Sequence, residues 1–308
     1  MRHSLYWDDF SRRIAETTEA VRNDTSLPVR RVAVFITESC NFKCQYCKAY
    51  RSSDFMSQEV FEKIVDKHKD AIIHITGGEP STVKWLYPYL ESRPDVRFNL
   101  NTNAFIMPPL VVKRLKVSLD SCNENKWDAL VGRKGAFQKV VKNIKEASKS
   151  VVTSVTFTLT HSNMGEVLDF IAFANREFPN LYALFFSIYK GKDSSFAFTA
   201  EDSEFFFNEL RPKMLKILDK ESRALLEETL DEKLRLIQGV RFPENSLDKP
   251  CYISMSERVY QHDGSEFSCS HLYRDGVIQN GFLKHANCEY GCNRRLVAFN
   301  EEVEKRLN

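Results

Sequence analysis

The sequence has no run of 18 apolar residues, and its opening stretch, MRHSLYWDDFSRRIAETTEAVRNDTSLP, carries charges throughout. Neither a membrane-spanning helix nor a secretory signal is legible, so a cytoplasmic protein with no membrane partner is the expectation. It also lacks any block of five or six like charges. The 44 lysines and arginines stand against 42 acidic residues, a balance that gives no electrostatic footprint for a nucleic acid, so that partner is unsupported. Internal repeats and low-complexity segments are missing too, which argues against a repeat architecture. What is present is 308 residues, 43% hydrophobic and 28% charged, enough for one large core plus a small appendage.

From Arg31 onward, short β-rich runs alternate with longer amphipathic segments. The strand candidates are 31–37, 71–76, 96–101, 115–119, 151–159 and 182–188, each rich in Val, Ile, Phe or Thr. Between them, SQEVFEKIVDKHK starts at a plausible N-cap, Ser57, and puts Val60, Phe61, Ile64 and Val65 on one face. AFQKVVKNIKEASK and NMGEVLDFIAFANREF repeat that spacing, and Asn163 with Glu166 has capping-box spacing. Strand alternating with helix predicts parallel strands joined by crossover helices, hence an α/β barrel or a doubly wound sheet; periodicity does not choose between them. After Lys190 come two long charged amphipathic segments, 201–218 and 220–237, then the breaker-rich FPENSLDKP. The expected division is a helical extension over 1–30, the α/β unit over 31–248 and a loop-rich unit over 249–308. The last contains a hairpin signal, RVYQH and EFSCS flanking Asp263-Gly264.

Eight cysteines are many for a reducing compartment, where clustered thiols more often mean metal or catalysis than disulfides. Cys40, Cys44 and Cys47 form a C-x3-C-x2-C group directly after the first strand, at the strand end where barrel enzymes assemble their sites. Three thiolates on a four-iron cube leave one iron open to an outside molecule, whereas a structural zinc site wants a fourth protein ligand. Half of a zinc site, or scattered structural thiols, is the competing reading of the spacing alone. Cys251, Cys269, Cys288 and Cys292 make a second group that can close a site completely, either a second cluster or a zinc staple for a tail without its own core. Cys122 stands alone and reads as a small apolar residue more readily than as a hydrogen-atom donor.

The stretch Cys40-Asn41-Phe42-Lys43-Cys44-Gln45-Tyr46-Cys47, followed after the second strand by Gly77-Gly78-Glu79-Pro80, resembles the radical S-adenosylmethionine (radical SAM) superfamily. The resemblance implies a partial (βα)6 TIM-like barrel and a 4Fe-4S cluster on Cys40, Cys44 and Cys47, with S-adenosylmethionine chelating the open iron. It further implies that Gly77, Gly78, Glu79 and Pro80 receive the methionine amino group and that Tyr46 lies beside the adenine. Two glycines would let backbone carbonyls approach an ammonium with no Cβ in the way. In related enzymes the ends of the third and fourth strands face the cofactor, so Ser118 is the further candidate for a cofactor hydrogen bond, with Asp120 and Asn103 behind it and helix capping the equal alternative for those two.

The stretch Trp127 to Phe137 is similar to a family segment that usually carries a carboxylate-binding arginine, but Val131 stands in that place and Arg133 is a displaced substitute. The second cysteine group resembles the SPASM or Twitch extension, implying a second 4Fe-4S cluster in a small C-terminal cysteine-rich domain. An electron donor such as flavodoxin or ferredoxin is implied as a partner.

The expected chemistry is reductive cleavage of S-adenosylmethionine to a 5′-deoxyadenosyl radical that removes a substrate hydrogen atom. A peptide or protein side chain is the leading substrate class, with dehydrogenation or rearrangement of a small molecule or nucleoside as the alternative. A zinc-binding interaction protein without catalysis is the competing class. Among the histidines, His74 reads as packed within a strand, His161 could face the reaction space although helix capping by its loop is the simpler reading, and His262, His271 and His285 flank the second cysteine group.

Overall fold

The computed structural model describes residues 10–47, 52–189, 193–230, 250–267, 286–287 and 294–308. Six parallel strands run in sequence order: β1 (Arg31–Phe35), β2 (Ile72–Thr76), β3 (Arg97–Thr102), β4 (Arg114–Ser118), β5 (Val152–Leu159) and β6 (Ala183–Ile188). Their bounds fall within two residues of the sequence expectation. Because strand side chains alternate between faces, one residue in two points to the helical side. There Val32, Ile73, Leu100, Leu115, Phe157 and Phe186 are all at most 1% exposed, each burial contributing roughly 1.5–3 kcal/mol.

The crossover helices cover that face: α2 (Gln58–Lys67) and α3 (Leu86–Ser92) close one apolar cluster over β1 to β3, while α4 (Glu124–Val131), α5 (Ala136–Ala147) and α6 (Val167–Glu177) close another over β4 to β6. Ser57 is indeed the N-cap of α2, accepting from Val60 N, and Phe61, Ile64 and Val65 are buried as their spacing predicts. The expected capping box at Asn163 and Glu166 does not form. Asn163 instead accepts from Thr160 N and donates to Thr158 O, and Glu166 accepts from Ser121 and Lys126, so both side chains tie loops together. The segment after residue 200 is helical as expected but interrupted: α7 (Ala200–Phe205) passes through a π-turn (Phe206–Leu210) into α8 (Arg211–Ile217). Pro212 accounts for the turn, because its ring clashes with the carbonyl one helical turn back and it brings no N–H. A further helix, α9 (Lys220–Leu225), starts the next segment.

The Asp263-Gly264 hairpin forms between β7 (Glu257–Tyr260) and β8 (Glu266–Phe267), with Gly264 at φ 86°. Its placement goes beyond the sequence reading. β7 pairs in parallel with β1, so the sheet order is β6-β5-β4-β3-β2-β1-β7-β8. Among the described residues β6 pairs only with β5, which leaves the sheet open. The first helix, α1 (Phe10–Arg22), packs against the last, α10 (Arg294–Leu307), around Ile14, Phe299 and Val303. Among the described residues no helix is long and apolar enough to cross a membrane.

Candidate metal and cofactor site

The cysteine loop leaves the C-terminal end of β1 and is fixed from three sides. The first clamp is Gly77-Gly78 at the end of β2. Gly78 N donates to Thr37 O (2.6 Å) and Glu79 N to Ser39 O (2.7 Å), so the turn lies directly on the residues leading into Cys40. A Cβ on Gly77 would sit 2.4 Å from Thr37 O, and one on Gly78 would sit 2.2 Å from Ser39 O. Gly77 also holds φ 141°, a region side chains disfavour. The glycines are therefore required for backbone-to-backbone packing, a constraint separate from any approach to an ammonium group.

The second clamp is the end of α4. Lys43 N donates to Val131 O (2.8 Å) and Gln45 N to Leu130 O (3.0 Å), while Gly132 terminates the helix in the left-handed region against Lys43. Val131 is buried, so the position expected to carry an arginine serves packing and backbone acceptance. Arg133 reaches the same loop, donating to Asn41 O (3.1 Å) with its guanidinium 3.8 Å from the Phe105 ring centroid. The third anchor is Phe42, only 3% exposed, which meets Trp127 and Phe105 edge to face with centroids 5.6 and 5.7 Å away. Fixing Phe42 in the core turns its neighbours outward: Cys40 and Cys44 are half-buried and Cys47 is exposed. Phe42 N lies 3.4 Å from Cys40 Sγ as a donor, the kind of contact that stabilises negative charge on a cluster sulfur.

Glu79 faces inward. Its carboxylate accepts from Thr102 Oγ1 (2.6 Å), Asn103 N (2.6 Å) and Ser81 N (3.0 Å), latching β2 to β3. Burial pushes its pKa up, and these hydrogen bonds oppose the shift. Pro80 opens the short 3-10 turn that follows. Asn103 extends the latch, its Nδ2 donating to Asn41 Oδ1 (2.7 Å) and its Oδ1 accepting from Phe105 N (3.0 Å), so it caps no helix. Asp120 caps none either, since the N-cap of α4 is Asn123. The buried Asp120 carboxylate instead accepts from Tyr46 Oη and Thr158 N, and burial raises its pKa to about 6. Tyr46 packs edge to face on Tyr189 and Phe196. Ser118 is exposed at the end of β4.

Cys40, Cys44, Cys47, Gly77, Gly78, Glu79, Asn103 and Arg133 are thus drawn into one constellation, with Tyr46 and Asp120 joined beside it. Thr37, Asn41, Phe42 and Thr102 belong to the same framework, yet no role for them is legible in sequence beyond their place in or beside the motifs. Three thiols held on a rigid loop, with a backbone N–H on one sulfur, suit an iron-sulfur cluster with an open iron. Of the second cysteine group, Cys269, Cys288 and Cys292 lie outside the described residues, as do His271 and His285. Cys251 is half-buried and pairs with Ala286 in a short antiparallel bridge. Cys122 is partly buried against the apolar cluster under α4 to α6, and burial raises its thiol pKa. His161 Nδ1 lies 2.7 Å from Asp202 Oδ2, and His262 Nδ1 lies 3.9 Å from Glu38 Oε1.

Comparison with known proteins agrees with this geometry. Residues 34–174 match the model of the Radical SAM superfamily. The chain is 31% identical over 137 residues to the GTP 3′,8-cyclase of Sulfurovum sp. (strain NBC37-1), covering 37% of this chain and 41% of that relative. It is 25% identical over 275 residues to the probable GTP 3′,8-cyclase of Methanocaldococcus jannaschii, covering 83% and 84%. The chain therefore spans under half the length of the first of these relatives and most of the second. In fold it is similar to Streptococcus suis SuiB bound to precursor peptide SuiA (TM-score 0.62, 14% identity, 96% of this chain and 68% of that one). It is also similar to native anSMEcpe with bound AdoMet (TM-score 0.58, 17% identity, 90% and 82%). The cysteine loop and the Gly-Gly clamp both lie within the stretch that matches the Radical SAM superfamily model, and the parallel sheet is the fold shared with these solved structures.

Proposed function

We propose that the protein binds S-adenosylmethionine at a 4Fe-4S cluster on Cys40, Cys44 and Cys47 and removes a hydrogen atom from a small phosphorylated molecule of the nucleotide kind. The observation that carries the reading is the immobilised cysteine loop, whose three sulfurs leave an iron coordination position for the cofactor. A cluster held by Cys40, Cys44 and Cys47 would supply the electron for reductive cleavage of the cofactor's sulfur–C5′ bond, the chemistry from which hydrogen-atom removal would follow. The chain's own residues hold the loop, orient the cofactor and exclude water. Backbone of Gly77 to Glu79 borders the methionine end, Arg133 supplies positive charge beside Asn41, and Ser118 offers a hydroxyl at the rim.

The nucleotide class is favoured over the expected peptide because the relatives carrying sequence similarity are named for GTP, whereas the peptide-bound neighbours share the fold at 14% identity or a similar level. A flavodoxin or ferredoxin would be the electron donor. We further assign residues 249–308 as a SPASM- or Twitch-like appendage with a second 4Fe-4S cluster on Cys251, Cys269, Cys288 and Cys292. In its support, the strand paired with Cys251 ends at Asn287, one residue before Cys288. The test is anaerobic reconstitution, iron analysis and detection of 5′-deoxyadenosine after reduction with dithionite. About eight irons per chain and cofactor cleavage are expected; stoichiometric zinc with no iron uptake refutes the reading.

A further inference from the structure

The face of the sheet turned away from α2 to α6 carries unusual chemistry. The residues there on β2 to β6 include His74, Asn99, Asn101, Arg114, Lys116 and Ser154, and not one is acidic. Register places His74, Asn99 and Arg114 in one row across β2, β3 and β4. Lys116 and Ser154 lie in the next row, and Ser118 and Thr156 in the one above it. Arg114 makes no ion pair with a carboxylate among the described residues. Its guanidinium rests 5.4 Å from the Tyr182 ring centroid and 5.6 Å from that of Phe185, and Lys116 Nζ sits 4.6 Å from the same Phe185 ring. Two cations are thereby held at one aromatic wall, which gives this part of the face a positive field.

On β2 to β6, three buried polar atoms of this face lack a hydrogen-bond partner: His74 Nε2, Ser154 Oγ and Thr156 Oγ1. Ser154 is fully buried. Buried polar groups are ordinarily satisfied, so orphans clustered on one face mark the place of a ligand or bound water. Their chemistry has a sign. Asn99 Nδ2 faces His74 Nδ1 at 3.4 Å, which leaves the proton of a neutral ring on Nε2. Burial and the neighbouring Arg31, Arg114 and Lys116 keep that ring neutral. An N–H, two hydroxyls and a guanidinium are all able to donate, so the matching group is an acceptor bearing negative charge.

We infer that this face is the seat of the substrate's anionic end, a phosphate or carboxylate held by Arg114 with Lys116, His74, Ser154 and Thr156. The inference deepens the reading of the cysteine site and rests on it for the word substrate. Position along the strand adds a length. Lys116 and Arg114 lie two and four residues below Ser118, so at ~3.3 Å per residue the anion sits roughly 7–13 Å beneath the rim. A substrate spanning that depth is elongated, with its charged end down and its reacting carbon up.

The test uses the reconstituted full chain, titrated calorimetrically with inorganic pyrophosphate and, separately, with glutarate. One of the two binds, and the stronger one identifies the anion as phosphate or carboxylate. Arg114→Gln weakens that binding at least tenfold, whereas Lys113→Gln, the same loss of charge at the adjacent exposed residue, leaves it within twofold. Ser154→Ala provides a control that does not depend on tolerance of the arginine change: it removes an orphan hydroxyl, so it leaves the melting temperature unchanged or higher while weakening binding severalfold. Binding of neither anion, or equal binding by Arg114→Gln and Lys113→Gln, overturns the inference. A chain that cleaves S-adenosylmethionine but binds neither anion refutes only this site; one that binds pyrophosphate but never yields 5′-deoxyadenosine refutes the radical reading instead.

Discussion

Replacing Gly78 with alanine tests whether the Gly-Gly turn is a structural clamp on the cysteine loop. The added Cβ would meet Ser39 O at 2.2 Å, where real contacts do not fall below 3.0 Å, so the two backbones must part by about 0.8 Å. That displacement strains the bonds from Gly78 N to Thr37 O and from Glu79 N to Ser39 O, now 2.6 and 2.7 Å long. Each is worth about 1 kcal/mol net, and overpacking adds roughly 1–3 kcal/mol, for a total of ~3–5 kcal/mol. The proper control is Gly165→Ala, which meets nothing within 4 Å and has no positive φ. Thermal unfolding of the apoprotein should drop by roughly 2–4 °C per kcal/mol in Gly78→Ala and hardly move in Gly165→Ala. Because Ser39 precedes Cys40 directly, iron uptake should fall in step. Wild-type melting together with full iron incorporation in Gly78→Ala would refute the clamp.

Other outcomes follow from the same framework. Phe42→Ala empties a core position between Trp127 and Phe105 and should cost about 3–5 kcal/mol in denaturant unfolding, with reduced iron retention. Glu79→Gln replaces an all-acceptor group with one that points an NH2 at existing donors, costing about 1–3 kcal/mol by the same measurement. Asp120 has its folded pKa raised from 3.8 to about 6, so the native state holds its proton more tightly than the unfolded chain does. Stability from this group is full below about pH 4 and is lost as pH rises towards 6, by about 3 kcal/mol. Asp120→Asn apoprotein should show a shallower fall over that window, and parallel wild-type and variant pH profiles would contradict the assignment. Changing Cys40, Cys44 and Cys47 together to alanine should abolish 5′-deoxyadenosine formation, read by mass spectrometry.

Much of the scaffold was legible because strand and helix declare themselves by local periodicity: the six parallel strands fall where alternating Val, Ile and Phe put them. The cysteine triplet and the Gly-Gly-Glu-Pro turn were legible for a different reason, as fixed spacings that carry chemistry. What sequence hid was how the motifs touch. Glycine at 77 and 78 looked like room for a ligand, and the backbone of residues 37 to 39 fills that room. Asn163 and Glu166 matched a local capping rule, but Thr158 and Thr160 took the first and Ser121 and Lys126, at least 40 residues away, took the second. The pairing of β7 with β1 had no local signature at all, since it joins segments 226 residues apart.

That last pairing governs the order in which the fold can be made. On the ribosome β2 can zip onto one side of β1 within a few tens of residues of its emergence, but the strand for its other side arrives 226 residues later. Until then the strand that delivers the cysteine loop presents a bare edge of N–H and C=O groups, open to pairing with a neighbouring chain. Closing so long a chain segment is slow compared with forming the local βα units. A nascent or truncated chain ending after β6 should therefore be aggregation-prone, however complete its metal-binding motif.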